Sequence, residues 1–85
     1  MKQFSYKITE AEGIHARPAG LLVKTAKGYP CAVTITKGEK AVNCKQVLGV
    51  MSLGVKCGEE ITIVVDGEDE DAAYAGIKEM IEANL

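Results

Sequence analysis

The only histidine among the 85 residues stands in the stretch GIHARPAG, residues 13–20. A neutral imidazole is a nucleophile, and a reference pKa of ~6.5 leaves much of it neutral near pH 7. Such a ring can take up a group covalently and hand it on, splitting one difficult transfer into two easier steps. The neighbours of His15 suit a phosphoryl group. If a helix begins here, its first amides have no acceptor inside the helix and present themselves to an anion. Ala16 and Arg17 supply those amides, and the Arg17 guanidinium adds a fork for phosphate oxygens. Pro18 presets the first turn without consuming a donor, and Gly13 accepts a turn conformation that other residues resist. The bland alternative is a partly exposed histidine at a helix start with no chemistry of its own.

Other chemistry is poorly supported. Cys31, Cys44 and Cys57 are widely spaced, form no CxxC pair, and cannot complete a zinc site with one histidine; no metal centre is expected. They read as small buried or half-buried thiols in a reducing compartment. The acidic run DGEDED, residues 66–71, has an aspartate where a calcium loop requires its sixth-position glycine, so it reads as a charged opening to a helix. Ser–His or Cys–His catalysis needs a pocket, for which a chain of this size offers little room. No phosphate-cradling glycine loop is present, and the four aromatics, Phe4, Tyr6, Tyr29 and Tyr74, are not interleaved with basic residues, which argues against nucleic-acid binding.

The elements that must hold His15 follow from hydrophobic spacing. Residues 1–85 are enough for one domain with one modest core. Phe4, Tyr6 and Ile8 alternate as in a half-buried strand, while Ala19, Leu22, Val23 and Ala26 recur at helical spacing over residues 16–27. Residues 32–36 and 40–43 read as a hairpin around Lys37, Gly38 and Glu39. A two-turn helix over 46–52, a strand carrying Ile61, Ile63 and Val65, and a helix over 70–84 complete the order βαββαβα. One sheet covered on one face by helices buries these stripes. No apolar run is long enough to span a membrane, and the N-terminal stretch lacks the apolar core of a signal peptide, so a cytoplasmic location without membrane insertion is expected. Charge is lopsided: residues 1–57 hold nine Lys or Arg against three Glu, and residues 58–85 one Lys against nine acids. That split hints at a basic face for acidic partners or anions, unless the halves neutralise each other in space.

GIHARPAG, taken together with VLGVMSLG at residues 47–54, resembles the HPr family, the histidine phosphocarriers of the phosphoenolpyruvate-dependent sugar phosphotransferase system. The resemblance covers essentially the whole chain. It implies an α+β open-faced β-sandwich, with a four-stranded antiparallel sheet covered by three helices. It implies that His15 accepts phosphate on Nδ1 from the phosphohistidine of enzyme I and passes it to enzyme IIA, with Arg17 stabilising the phosphohistidine. The chain would then be a substrate of enzymes rather than an enzyme, with no cofactor, and a monomer, since a carrier must expose one face to successive partners. Partner docking is implied for Gly20, Leu21, Lys24 and Lys27 on the first helix and for Gln46, Val47, Leu48, Met51 and Ser52 around the second. The residues agree in kind, because Leu21 falls outside the buried stripe, and Met51 suits several partners; Val50 and Leu53 are assigned to the core. Lys24, Lys27, Lys40 and Lys45 would supply a basic rim. Two positions depart from the pattern. Gln46 stands where many relatives carry a regulatory serine, so phosphorylation by the HPr kinase is not expected there, and Gly20 stands where many relatives have threonine or alanine. The competing readings are a regulatory binding module and a carrier of the nitrogen-related phosphotransfer chain. The family's regulatory paralogue, however, lacks the histidine and keeps the serine.

Overall fold

A computed structural model describes residues 1–85. The elements run β1 (Lys2–Lys7), α1 (Ala16–Lys27), β2 (Ala32–Lys37), β3 (Lys40–Asn43), α2 (Val47–Ser52), β4 (Glu60–Asp66) and α3 (Glu70–Asn84). This is the expected βαββαβα order. The four strands form one sheet in the order β1-β4-β2-β3, with every neighbouring pair antiparallel.

Alternation along the strands decides which side is covered. The pairings Phe4–Ile63, Ile63–Ile35 and Ile35–Val42 line up one row across the whole sheet, with Ile35 and Ile63 fully buried. One residue further along, Ser5 pairs with Thr62 and Thr62 with Thr36, and the Ser5 and Thr62 hydroxyls meet at 3.0 Å on the open face. The helices cover the first side. α1 buries Ala19, Leu22, Val23 and Ala26 together with Pro18, and α3 buries Ala73, Ile77 and Ile81. The two helices pack together, and the Tyr29 hydroxyl, just beyond α1, occupies the space that a side chain at Gly76 of α3 would need. The edge strands are poor templates for further pairing: β3 is four residues long, and β1 carries lysines at both ends.

The core is wholly apolar, with no buried polar or charged residue and no unpartnered buried side-chain nitrogen or oxygen. Val50 and Leu53 belong to it as expected. Cys31 and Cys44 are buried, but Cys57 is exposed, contrary to the expectation of three sheltered thiols. Burial among apolar neighbours pushes the Cys44 thiol up to about 12.

The acidic run opens α3, though not through a capping side chain. Asp69 is the N-cap in a left-handed conformation (φ 62°) and makes no side-chain cap; instead the Gly67 amide donates to Glu70 Oε1 at 3.1 Å. The remaining charge ties the two halves of the sequence together. Glu70 lies 2.8 Å from the Met1 amine, Asp71 lies 2.8 Å from Lys2 Nζ, and Glu59 lies 3.0 Å from Lys37 Nζ. These cations hold the three carboxyls below their usual range, chiefly through the hydrogen bond each donates. Part of the lopsided charge is thereby neutralised locally, through Lys2 and Lys37, while Arg17, Lys24 and Lys27 on α1 have no carboxylate within 4.0 Å.

Candidate functional site

His15 is mounted on a pinned loop. Gly13 adopts φ 68° with its backbone pressed against Val55 and Lys56; any side chain there would collide with the Val55 carbonyl. Beside it the Ile14 amide donates to Val55 O at 3.0 Å, and the Ile14 side chain is buried. Further back, the Thr9 and Glu10 amides donate to Leu85 O at 2.6 and 2.8 Å. The loop is therefore fastened to the segment before β4 and to the end of α3.

At the start of α1 the N-cap residue is His15 itself, extended at φ −95° and ψ −174°, with its carbonyl accepting from the Ala19 amide at 3.0 Å. The imidazole does not cap the helix. It is left available, its side chain 38% exposed, with Nε2 3.6 Å from Glu12 Oε2. The Ala16 and Arg17 amides have no acceptor within the protein, and both residues are exposed. Pro18, the next residue, is buried. His15 and Arg17 line one shallow, open depression with Glu10, Glu12, Pro18, Leu21 and Asn84. A small fold thus supplies a dish rather than the enclosed pocket that hydrolytic catalysis needs. The arrangement offers a nucleophilic ring, two free amides at the positive end of a helix, and a guanidinium for anionic oxygens.

Spacing alone had pointed to His15, Ala16 and Arg17, and it missed Glu10, Glu12 and Asn84. Glu12 was visible three residues before the histidine. Asn84 arrives only through the docking of α3, for which the sequence carries no local signal.

Beside the dish, α1 and α2 pack together and present one surface. Gly20, Leu21, Lys24, Lys27, Gln46, Val47, Leu48, Met51 and Ser52 are all exposed. Leu48 is 81% accessible, while Leu21, Val47 and Met51 each stay near 40%, an unusual concentration of large apolar side chains on so small a protein. Buried Val50 and Leu53 anchor α2 from below. Its carboxyl end is held by lysines from the hairpin: Lys37 Nζ donates to Leu53 O and Gly54 O at 3.3 and 3.2 Å, and Lys40 Nζ to Ser52 O at 3.2 Å. Cations there complement the helix dipole that α2's own sequence leaves unanswered. Two members of the expected basic rim are tied to backbone carbonyls, where they keep their charge. Lys40 is engaged with α2, and Lys45 donates to Tyr29 O at 2.8 Å, so Lys24 and Lys27 are the uncommitted members. Gln46 is an exposed N-cap without a side-chain cap, and the Ser52 hydroxyl donates back to Gly49 O at 2.6 Å.

The sequence matches, over residues 2–83, the family model described as "PTS HPr component phosphorylation site". It is 44% identical to the phosphocarrier protein HPr of Mycoplasma capricolum subsp. capricolum, over 100% of this chain and 97% of that one. The solved structure of a mycoplasma histidine-containing phosphocarrier protein superposes with a TM-score of 0.94 at 41% identity, covering 96% of this chain and 93% of the other. A second solved relative, the Bacillus subtilis catabolite-repression protein Crh, seen as a swapped dimer, gives a TM-score of 0.78 at 34% identity over 100% and 98% of the two chains.

Proposed function

The chain belongs to the HPr family, the phosphocarriers of the phosphotransferase system, and from that premise we propose that it carries a phosphoryl group on His15 Nδ1 from phospho-enzyme I to enzyme IIA. The observation that carries this reading is the free imidazole at the mouth of α1, with two unpartnered amides and Arg17 beside it. In the transfer, the Nδ1 lone pair attacks phosphorus as the bond to the donor's imidazole breaks. The Ala16 and Arg17 amides and the Arg17 guanidinium then face the phosphoryl oxygens. None of these groups encloses the phosphate, which suits a group that must leave again. Exposed Leu21, Val47, Leu48 and Met51 form an apolar docking face shared by successive partners, and Lys24 and Lys27 steer acidic ones toward it. The protein works in the cytoplasm, as one domain and as a monomer, because dimerisation through this face would block its partners.

Likeness to Crh raises the alternative of a regulatory binding module, seen there in a swapped dimer. Gln46 weighs against it, since it offers no hydroxyl for a kinase, and His15 is present. The test is incubation with enzyme I and labelled phosphoenolpyruvate. An acid-labile, alkali-stable label that is absent in His15→Ala is expected; an unlabelled wild-type protein in the presence of competent enzyme I refutes the carrier reading. Chase of the label into enzyme IIA domains of the sugar and nitrogen branches then assigns the branch.

A further inference from the structure

The transfer as described gives Glu12 no part, yet its carboxylate is the one that comes within 4.0 Å of a nitrogen of the reacting ring, with Oε2 3.6 Å from His15 Nε2. Glu12 is also held by its backbone. Its amide donates to Glu10 Oε1 at 3.3 Å, the next amide, of Gly13, donates to Glu10 O at 2.9 Å, and Gly13 is wedged against Val55 and Lys56. We propose that Glu12 is a positioning residue for His15: its carboxylate accepts the Nε2–H, which keeps the neutral ring's proton on Nε2 and bares the Nδ1 lone pair for attack. The proposal deepens the carrier reading and rests on it.

A neutral imidazole has one donor nitrogen and one acceptor nitrogen, and the hydrogen bond made by one fixes the role of the other. An ionised carboxylate only accepts, so beside Nε2 it selects the tautomer with the proton there. The separation of 3.6 Å is beyond the ~3.2 Å reach of a formed N–H···O bond. The Glu12 side chain is 74% exposed and its carboxylate has no other partner, so a small rotation of its own closes that gap in the free protein. Bond changes balance without any further proton acceptor. The Nδ1 lone pair becomes the new N–P bond, the electrons of the broken N–P bond return to the donor's ring, and the Nε2 proton stays where it is. The positive charge that the ring gains then faces Glu12. Both side chains are partly in water, 38% exposed for His15 and 74% for Glu12, so the preference is on the order of two- to fivefold.

The test compares wild type, Glu12→Gln and Glu12→Ala by ring ¹⁵N NMR at pH about 9, well above the range in which imidazoles ordinarily take up a proton. The ratio of Nε2–H to Nδ1–H tautomers is expected to fall by about two- to fivefold in Glu12→Ala and to be restored in Glu12→Gln, whose amide oxygen still accepts. The rate of phosphorylation by phospho-enzyme I follows the same order, lower in Glu12→Ala and recovered in Glu12→Gln, with KM for enzyme I unchanged. Thermal unfolding stays the same in all three proteins. An unchanged tautomer ratio in Glu12→Ala, or a ratio not rescued by glutamine, overturns the role of Glu12. Failure of the wild type to take label would instead refute the carrier reading, and the tautomer ratio, measured without phosphate, would still judge Glu12 on its own.

Discussion

One substitution, glycine to alanine, should act in three different ways at three positions. Gly20 lies inside α1, exposed, with no atom within 4 Å of where a Cβ would stand. Glycine costs a helix interior about 0.8–1 kcal/mol relative to alanine, mostly through the freedom it keeps in the unfolded chain. With no clash to subtract, Gly20→Ala should stabilise the protein by nearly that amount, raising Tm by about 4–8 °C for a domain of this size. Gly76 lies inside α3 and offers the same gain, but the Tyr29 hydroxyl fills the space, and that ring is packed against the core. The gain there should be cancelled or reversed as Tyr29 is displaced. Gly13 combines positive φ with direct collision against Val55 O and Lys56 Cα, both backbone atoms that cannot swing aside. Its alanine variant should lose at least ~1–2 kcal/mol from the left-handed conformation alone, and more from the collision. Urea and thermal denaturation of the three variants measure these differences. A Gly20→Ala protein less stable than wild type, or a Gly13→Ala protein as stable as Gly20→Ala, would refute the reasoning from local space and backbone angle.

Three other outcomes are expected. A maleimide should label the native protein at Cys57 alone, with Cys31 and Cys44 reacting only on unfolding, and mass spectrometry of partly labelled protein checks this. Because Glu59, Glu70 and Asp71 titrate lower folded than unfolded, the stability they contribute is complete above the ordinary carboxylate range and is lost as pH falls through and below that range; Tm measured from pH 6 to 2 should show the decline, and added salt should blunt it. Leu48→Asp removes the most exposed leucine without touching the core, so Tm should move by less than about 0.5 kcal/mol equivalent, while KM for enzyme I rises roughly tenfold or more in a phosphotransfer assay.

The parts of the molecule legible in its sequence are those governed by short-range periodicity. Ile61, Ile63 and Val65 alternate because one face of β4 is covered, and Ala19, Leu22, Val23 and Ala26 repeat because one stripe of α1 is buried. Leu21 was readable as exposed for the same reason, since it falls off that stripe. What stayed hidden depends on placement of distant segments. That Lys37 and Lys40 would close the carboxyl end of α2 follows from where the β2–β3 hairpin lands, and nothing around either lysine announces it. The left-handed Asp69 was equally silent, because aspartate is common at ordinary helix starts and nothing in the run DGEDED marks one residue for positive φ. Glu12 was close in sequence to His15, but only the loop geometry turns its carboxylate toward Nε2.

The fastening of the histidine loop to Val55 and Leu85 has a consequence for how the protein matures and breathes. Both anchors are far along the chain from Gly13, so the acceptor site costs loop closure over most of the polypeptide before it exists. A nascent chain that has not yet supplied residue 55 has the histidine but not the backbone acceptor that fixes its loop. The Ile14 amide, bonded to Val55 O beneath a buried side chain, should therefore exchange its hydrogen only through global unfolding. Residues at the surface of α1 would exchange much sooner. The histidine loop thus takes its final place only as the last strand and helix take theirs.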